Sequence, residues 1–394
     1  MLELEKYRRN VYSCVRCGIC RAKYDENVRR VCPIREHSGG FDTHYAKGRM
    51  VIARGILEGE LKYSNGIADV LAYCTTCANC VEACGAVDMM TGNPKIDAVT
   101  VIEAMRADLF NLGLAPTGWK TVHSRIGRED MRNPYGEPKK DREKWAEELN
   151  VKFRDRGSGL MYFVGCTSSY RQTVIATDTV KILKKLNIPF SILKDEWCCG
   201  SPSLRTGARK QVEELAEHNV GLLEGAERVI SSCAGCARTF RKDYPEMGVE
   251  VPFEVLHVTE FLSELLKEGK LPLKKEIHKI ITYHDPCHIG RHMGVYDEPR
   301  DVLKAIPGIE LREMYPTREN AWCCGAGGGF RISDPKISVE IAADRLEHAK
   351  EVGAEALTCS CPFCMRNLTD AIKETNSDLD FYDITQLVLE SLGE

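Results

Sequence analysis

The sequence predicts an α+β chain: a helical, cysteine-bearing module (residues 1–114) leads through a connecting segment (115–158) into two copies of a small α/β unit with a parallel sheet (159–275 and 276–394). Three observations carry that prediction. Two cysteine triplets near the N-terminus are separated by segments of helical apolar spacing. A second cysteine pattern then occurs twice at a nearly constant offset: Cys166 and Cys287 lie 121 positions apart, Cys198 and Cys323 lie 125, and Cys236 and Cys364 lie 128. Such small increments fit one duplicated unit with short loop insertions. Finally, strand-like runs in the repeat lead into cysteines and are followed by helical patterns, as expected where ligands gather beyond the carboxyl ends of parallel strands.

The first module opens with Cys14-x-x-Cys17-x-x-Cys20 and, downstream, Cys32-Pro33; its second triplet is Cys74-x-x-Cys77-x-x-Cys80, followed by Cys84. Two-residue spacings let three thiolates from one tight turn grip three corners of a four-iron cube. The fourth corner comes from the other motif, which is the two-cluster ferredoxin arrangement. Cys14, Cys17, Cys20 and Cys84 are therefore assigned to one [4Fe-4S] cubane, and Cys74, Cys77, Cys80 and Cys32 to the other. Cys32 carries the usual following proline, whereas Cys84 is followed by Gly85. Zinc sites also use Cys-x-x-Cys pairs, but zinc has no use for three cysteines at two consecutive two-residue spacings. Between the triplets a helix is expected over Lys47–Leu61, with Met50, Ala53, Leu57 and Leu61 on its buried stripe. Another, from about Ile96 to Leu112, carries Val99, Ile102, Met105, Leu109 and Leu112. The module is thus a helical ferredoxin-type domain with an inserted helical hairpin, in which His37 and His44 are hydrogen-bonded loop residues and not ligands.

From about Ala115 to Gly159 the character changes. Pro116, Pro134, Gly136 and Pro138 punctuate the segment, and Lys139-Lys140-Asp141-Arg142-Glu143-Lys144 is a mixed charge run. A solvated linker with one short helix around Trp145 is expected.

The first copy of the repeat holds Cys166, Cys198-Cys199-Gly200 and Cys233-x-x-Cys236; the second holds Cys287, Cys323-Cys324-Gly325 and Cys361-x-x-Cys364. Leu160–Val164, Val229-Ile230, Lys279–Tyr283 and Ala356-Leu357 are the strand-like runs, and Val174–Leu186 and Val212–Leu223 are examples of the helices. Each unit should hold its five cysteines as one cluster at the edge of its sheet. Five thiolates exceed the four that one tetrahedral zinc takes, and an adjacent pair suits a polynuclear cluster, where the two sulfurs bind different irons. Gly200 and Gly325 let the backbone approach the cluster closely. Cys359, outside the scheme, reads as a buried small apolar residue.

At these residues the chain resembles the family of heterodisulfide reductase D-type subunits. Cys-x(31)-Cys-Cys-x(33)-Cys-x-x-Cys and Cys-x(35)-Cys-Cys-x(36)-Cys-x-x-Cys look like the doubled cysteine-rich CCG domain of heterodisulfide reductases, and the twin triplets on the same chain match the D-type organisation. His284-Asp285-Pro286-Cys287-His288-Ile289-Gly290-Arg291 and Cys323-Cys324-Gly325-Ala326-Gly327-Gly328-Gly329 are close to that family's wording. The resemblance covers nearly the whole chain. It implies an oxidoreductase acting on a sulfur group, with non-cubane [4Fe-4S] clusters as the catalytic groups and a disulfide cleaved between them. One cluster would sit on Cys166, Cys198, Cys199, Cys233 and Cys236, the other on Cys287, Cys323, Cys324, Cys361 and Cys364. Zinc in one copy, the shorter first one, is the alternative there. Iron–sulfur subunits of flavin-dependent glycerol-3-phosphate, glycolate and lactate dehydrogenases share the domain order, so an electron-relay subunit of such an enzyme, or of a larger redox complex, is the alternative function. Their cysteine-rich halves often lack part of the ligand set, whereas both copies here are complete.

Composition narrows the rest. Nineteen cysteines in 394 residues are not a disulfide framework, which belongs to short secreted chains; 44.2 kDa can bury two or three cores without staples. Met1–Lys6 lacks the order of a signal peptide, and no apolar stretch approaches the roughly 20 residues that span a bilayer. A cytoplasmic chain is expected, lying on the cytoplasmic face of the membrane if a membrane cytochrome anchors it. A net charge of -4 and a pI near 6.3 give no reason to expect nucleic acid. Gly325-x-Gly327-Gly328-Gly329 ends in Phe330 and follows no strand, so it is not a dinucleotide fingerprint. Electrons are therefore expected from a redox subunit holding flavin, haem or further iron–sulfur clusters. The candidate substrate-binding residues are His288, Arg291, Arg238 and Arg366, since an arginine fork suits anionic groups. Each could instead cap a helix or donate to cluster sulfurs. Cys198-Cys199 and Cys323-Cys324 are expected to face inward about a pseudo-two-fold axis.

Overall fold

A computed structural model describes residues 1–22, 30–87, 90 and 95–393 of the chain. The N-terminal module is helical throughout. Its core packs helices Ala46–Leu57, Asn65–Ala72 and Ala98–Asn111 through Met50, Ala53, Leu71, Ile102, Met105 and Leu109. Asp97 caps the last of these, its carboxylate accepting from the Val99 and Thr100 amides. Both expected helices are present but stop short at the C-terminal end: Leu61 and Leu112 lie beyond them and are exposed.

The connecting segment is not a solvated linker. Thr117–Gly127 is a helix whose Trp119, Val122 and Ile126 are buried, and Ala146 and Arg142 further on are buried too. The apolar positions fall at i, i+3 and i+7, enough for a buried stripe once neighbours supply the other wall. The prolines that suggest a loop flank this helix rather than interrupt it.

Strands are numbered in chain order. β2 (Gly159–Tyr162), β4 (Ala226–Ser231) and β5 (Glu254–His257) form a parallel sheet in the order β2-β4-β5; β1 (Phe153–Arg154) pairs with β3 (Ile192–Leu193), which is tied to β2 by the Met161–Ser191 bridge. The second copy repeats this order as β7-β6-β8-β9, with β6 Lys279–Tyr283, β7 Ile309–Leu311, β8 Ala356–Cys359 and β9 Asp380–Asp383. Even the caps repeat. His257 and Asp383 each end the last strand, accept from a backbone amide of the following helix and complete a capping box with Glu260 or Gln386.

The copies meet in a reciprocal way. Helix Thr173–Lys185 of the first packs on Ile384–Ser391 of the second, and Asp297–Ala305 of the second packs on Val258–Lys267 of the first. Tyr162, Val180, Ile230 and Leu262 share one core with Ile281, Val302, Leu303 and Ile384. Burying each such side chain contributes about 1.5–3 kcal/mol, so the halves form a single body.

Candidate metal centres

The eight cysteines of the first module form two adjacent groups. Cys14, Cys17, Cys20 and Cys84 line a cavity of about 240 Å³ with Met50 and Ile96. Cys84 feels the charges of Cys14 and Cys17, while Cys32 feels those of Cys74 and Cys77. Cys20 also feels the charge of Cys32, and Cys80 lines the same cavity as the first triplet. The groups also touch, since Cys80 lies near Cys20 as well as Cys77, Cys74 and Cys32. Cys32 immediately precedes the short helix Pro33–His37, whose first position suits a residue without an N–H. Burial pushes the Cys20 thiol up to about 12 and Cys32 up to about 11. A cation bound here would have to displace those protons; it is the convergence of eight thiols in two adjacent groups that fits metal clusters.

In each later copy five sulfurs form a continuous chain. All are free thiols joined by hydrogen bonds, Cys166 to Cys198, Cys198 to Cys199, Cys199 to Cys236 and Cys236 to Cys233. The second set runs Cys287, Cys323, Cys324, Cys364, Cys361 in the same order. Hydrogen bonds from neighbouring thiols hold Cys199, Cys324 and Cys361 well below the ordinary thiol value, while Cys198, Cys236 and Cys364 are pushed up by those same bonds. Sulfurs crowded in this way share protons unevenly; a cationic cluster would take all five as thiolates. Gly200 and Gly325 are also required by the backbone itself. Their φ values are +85° and +82°, and a Cβ on Gly325 would lie 2.4 Å from the Ser338 carbonyl. Cys359 is fully buried, with Sγ 3.6 Å from the Cys361 carbonyl.

One contributor has no local signal in the sequence. Arg142, from the charge run, donates through Nη1 and Nη2 to Cys166 Sγ, each at 3.6 Å. Its partner Glu196 is buried and accepts from the Val164 and Gly165 amides at 2.8 and 2.9 Å. Burial alone would raise the Cys166 thiol, but the Cys198 hydrogen bond and Arg142 hold it below its ordinary value.

Two contacts join the sets. Cys77 of the first module is hydrogen-bonded to Cys323, and Cys233 of the first copy to Cys361 of the second. The vicinal pairs therefore do not make the contact between copies. The central strands β4 and β8 deliver Cys233 and Cys361 there instead, and Cys323 faces the ferredoxin-type module. Around this junction the two arginines are exchanged. Arg238, with Nη1 lacking a hydrogen-bond partner among the described residues, lies near Cys287 of the other copy. Arg366 stacks over Tyr135 at 5.7 Å, a ring near Cys166 and Cys233. His288 reaches to within 3.8 Å of where a Cβ on Gly235 would stand, and its Nε2 is buried without a partner among the described residues. Arg291 is engaged otherwise: Nε donates to the Cys77 carbonyl at 2.6 Å and Nη1 to those of Glu319 and Ala321 at 3.2 and 2.7 Å, clamping the second triplet in place.

Comparison with known proteins agrees with this layout. A 4Fe-4S dicluster domain matches residues 10–86, and a cysteine-rich domain matches twice, at 160–241 and 281–369. The D-type subunit of the dihydromethanophenazine:CoB–CoM heterodisulfide reductase of Methanosarcina barkeri is 38% identical over 405 residues, covering 97% of this chain and 94% of that one. This chain belongs to the family of heterodisulfide reductase D-type subunits. The corresponding Methanosarcina mazei protein is 41% identical over 327 residues, covering 81% of this chain and 77% of its own. A hypothetical protein from Helicobacter pylori, 11% identical, shares the fold alone, with a TM-score of 0.57 over 100% of this chain and 72% of that one. This family member is an iron–sulfur oxidoreductase component. No helix among its described residues is long and apolar enough to cross a membrane.

Proposed function

We propose that this chain reduces a disulfide held between its two cysteine-rich units, taking electrons from a redox partner at the ferredoxin-type module. The observation that carries this is the Cys233–Cys361 contact: two ligand sets meet sulfur to sulfur, so the two halves of one S–S bond can each find a separate set. When bound, two cubanes on the eight N-terminal cysteines would store single electrons, and two non-cubane clusters on the ten repeat cysteines would offer iron to each departing sulfur. The substrate disulfide takes up two electrons and two protons and leaves as two thiols. Arg238 and Arg366, one from each copy, would orient anionic groups on the two halves, with His288 beside them; Arg291 holds the Cys77 loop against the second set. The partner is a flavin-, haem- or iron–sulfur-containing protein, a membrane cytochrome among them. The chain divides as residues 1–114, a packed brace at 115–158, and units at 159–275 and 276–394.

Anaerobically purified chain supplied with a chemically reduced viologen should cleave a mixed disulfide bearing anionic groups, and should show about sixteen irons. Thiol addition should change its electron paramagnetic resonance. Electron transfer to dyes with no disulfide cleavage, and signals indifferent to thiol, would replace this function with simple relay. Stoichiometric zinc beside about twelve irons would make one copy a zinc site. NADH should not support turnover.

A further inference from the structure

One of the buried differences between the two copies lies beside Cys324 and Cys364 of the second set. Tyr162 and Tyr283 occupy equivalent places, each donating to or accepting from a serine hydroxyl at 2.7 Å, Ser232 in one copy and Ser360 in the other. The next residues are also equivalent: the Phe163 amide donates to the Ile230 carbonyl at 2.9 Å, and the His284 amide to the Thr358 carbonyl at 2.8 Å. Phe163 fills its slot with hydrocarbon, packing edge-on against Phe240 at 4.8 Å. In the second copy the matching pair is His284 and Leu368.

His284 is 1% exposed, and its Nδ1 has no hydrogen-bond partner among the described residues. A ring nitrogen of His284 and the sulfurs of Cys324 and Cys364 all lie within 4.8 Å of one another. A buried ring nitrogen without a partner is uncommon in a folded protein and points to a group that completes it. We propose that His284 is a sixth contact to the second cysteine set, its ring N–H donating to the Cys324 sulfur, and that this donor raises the reduction potential of the cluster held there. Hydrogen bonds to cluster sulfurs stabilise the more negative, reduced state. The second set is also the one that Cys77 touches. The His284 donor would therefore act on the cluster nearest the point where electrons leave the ferredoxin-type module. This inference rests on both repeat sets holding iron–sulfur clusters.

Redox titration of the iron-loaded chain, followed by electron paramagnetic resonance, tests it against H284F, which installs the first copy's chemistry, and H284Q, which keeps an N–H donor. H284F should retain its iron yet show about a tenfold lower reduced-to-oxidised ratio for one cluster at fixed potential, ~59 mV for a one-electron couple. H284Q should recover most of that shift. Full iron with unmoved potentials in H284F overturns the proposal. If H284F fails to load, protein labelled with ¹⁵N at histidine decides: pulsed resonance should detect a nitrogen coupling that is lost in H284Q, and a coupling absent from the native chain or unchanged in H284Q overturns the proposal. Iron missing from the second set of the native chain would instead remove the functional reading beneath it.

Discussion

A buried thiol becomes a ligand when something takes its proton, and the residues that manage this are of two kinds. The cysteines themselves announce their grouping through spacing, because two-residue gaps are a local property of one turn. The expected crossing of Cys84 to the first triplet and Cys32 to the second rests on the same spacing. We therefore expect Cys84→Ser to lose the cluster of Cys14, Cys17 and Cys20 while sparing the other, and Cys32→Ser to do the converse. Iron analysis with resonance spectra of the two variants would show it, and loss of the wrong signal would refute the crossing. Arg142 and His284 are of the second kind. Each reaches its sulfur through tertiary packing, Arg142 across 24 positions and His284 across 40; Arg142 sits in no marked spacing, and the motif that holds His284 points to Cys287 and not to Cys324. Arg142→Met should leave Glu196, 2% exposed, without its cation. Removing one partner of a buried pair costs about 3–5 kcal/mol, so the denaturant midpoint should fall accordingly; a change under about 1 kcal/mol would mean that the Val164 and Gly165 amides alone satisfy the carboxylate.

Among elements, those with a strong period are legible in the sequence and those defined by their neighbours are not. β6 falls where the apolar run Lys279–Tyr283 places it, and helix Thr173–Lys185 differs by one residue at each end from the expected Val174–Leu186. Helix Thr117–Gly127 is hidden in the sequence because its stripe is thin and prolines flank it. Its burial comes from distant partners: Trp119 Nε1 donates to the Gly329 carbonyl and Ser333 hydroxyl, both at 3.1 Å. The short helix Pro33–His37 docks on Pro335–Glu351 through His37, whose Nε2 lies 2.8 Å from Asp344, with Glu340 at 3.8 Å and Arg30 also near. The Asp344 hydrogen bond raises the His37 imidazole above its ordinary value. A raised histidine stabilises fully below its unfolded value, near 6.5, and that contribution fades as pH climbs through the folded one. With His37 partly exposed, at 19%, and Asp344 at 26%, the effect should stay under about 1 kcal/mol. Thermal midpoints between pH 6 and 8.5 should fall further for the native chain than for His37→Gln; parallel curves would show that this contact carries no pH dependence.

At the scale of the whole molecule, three units converge on one loop. Arg106, fully buried, donates to the carbonyls of Leu71 and Cys74 in the first module, Arg205 in the first copy and Gly328 in the second. The glycine run after Cys324 is legible as something other than a nucleotide loop, but its purpose requires the assembled chain: it is the floor on which the second triplet rests. Gly328 adopts φ +60°, and a Cβ there would lie 2.5 Å from the Cys74 carbonyl and 2.7 Å from the Thr75 carbonyl carbon. Gly328→Ala should therefore lift the loop carrying Cys74 and Cys77 away from Cys323, at about 1–3 kcal/mol of strain. All eighteen ligand cysteines remain in this variant, so iron content should be unchanged and reduction of the first module by viologen should keep its rate. Only the following step, reduction of the repeat clusters, should slow. Gly221→Ala is the control, because that helical glycine has nothing within 4 Å of an added Cβ. Rapid-freeze resonance measurements resolve the two steps. If the repeat clusters of Gly328→Ala fill as fast as those of the control, the Cys77–Cys323 contact is not the junction through which electrons enter the second copy.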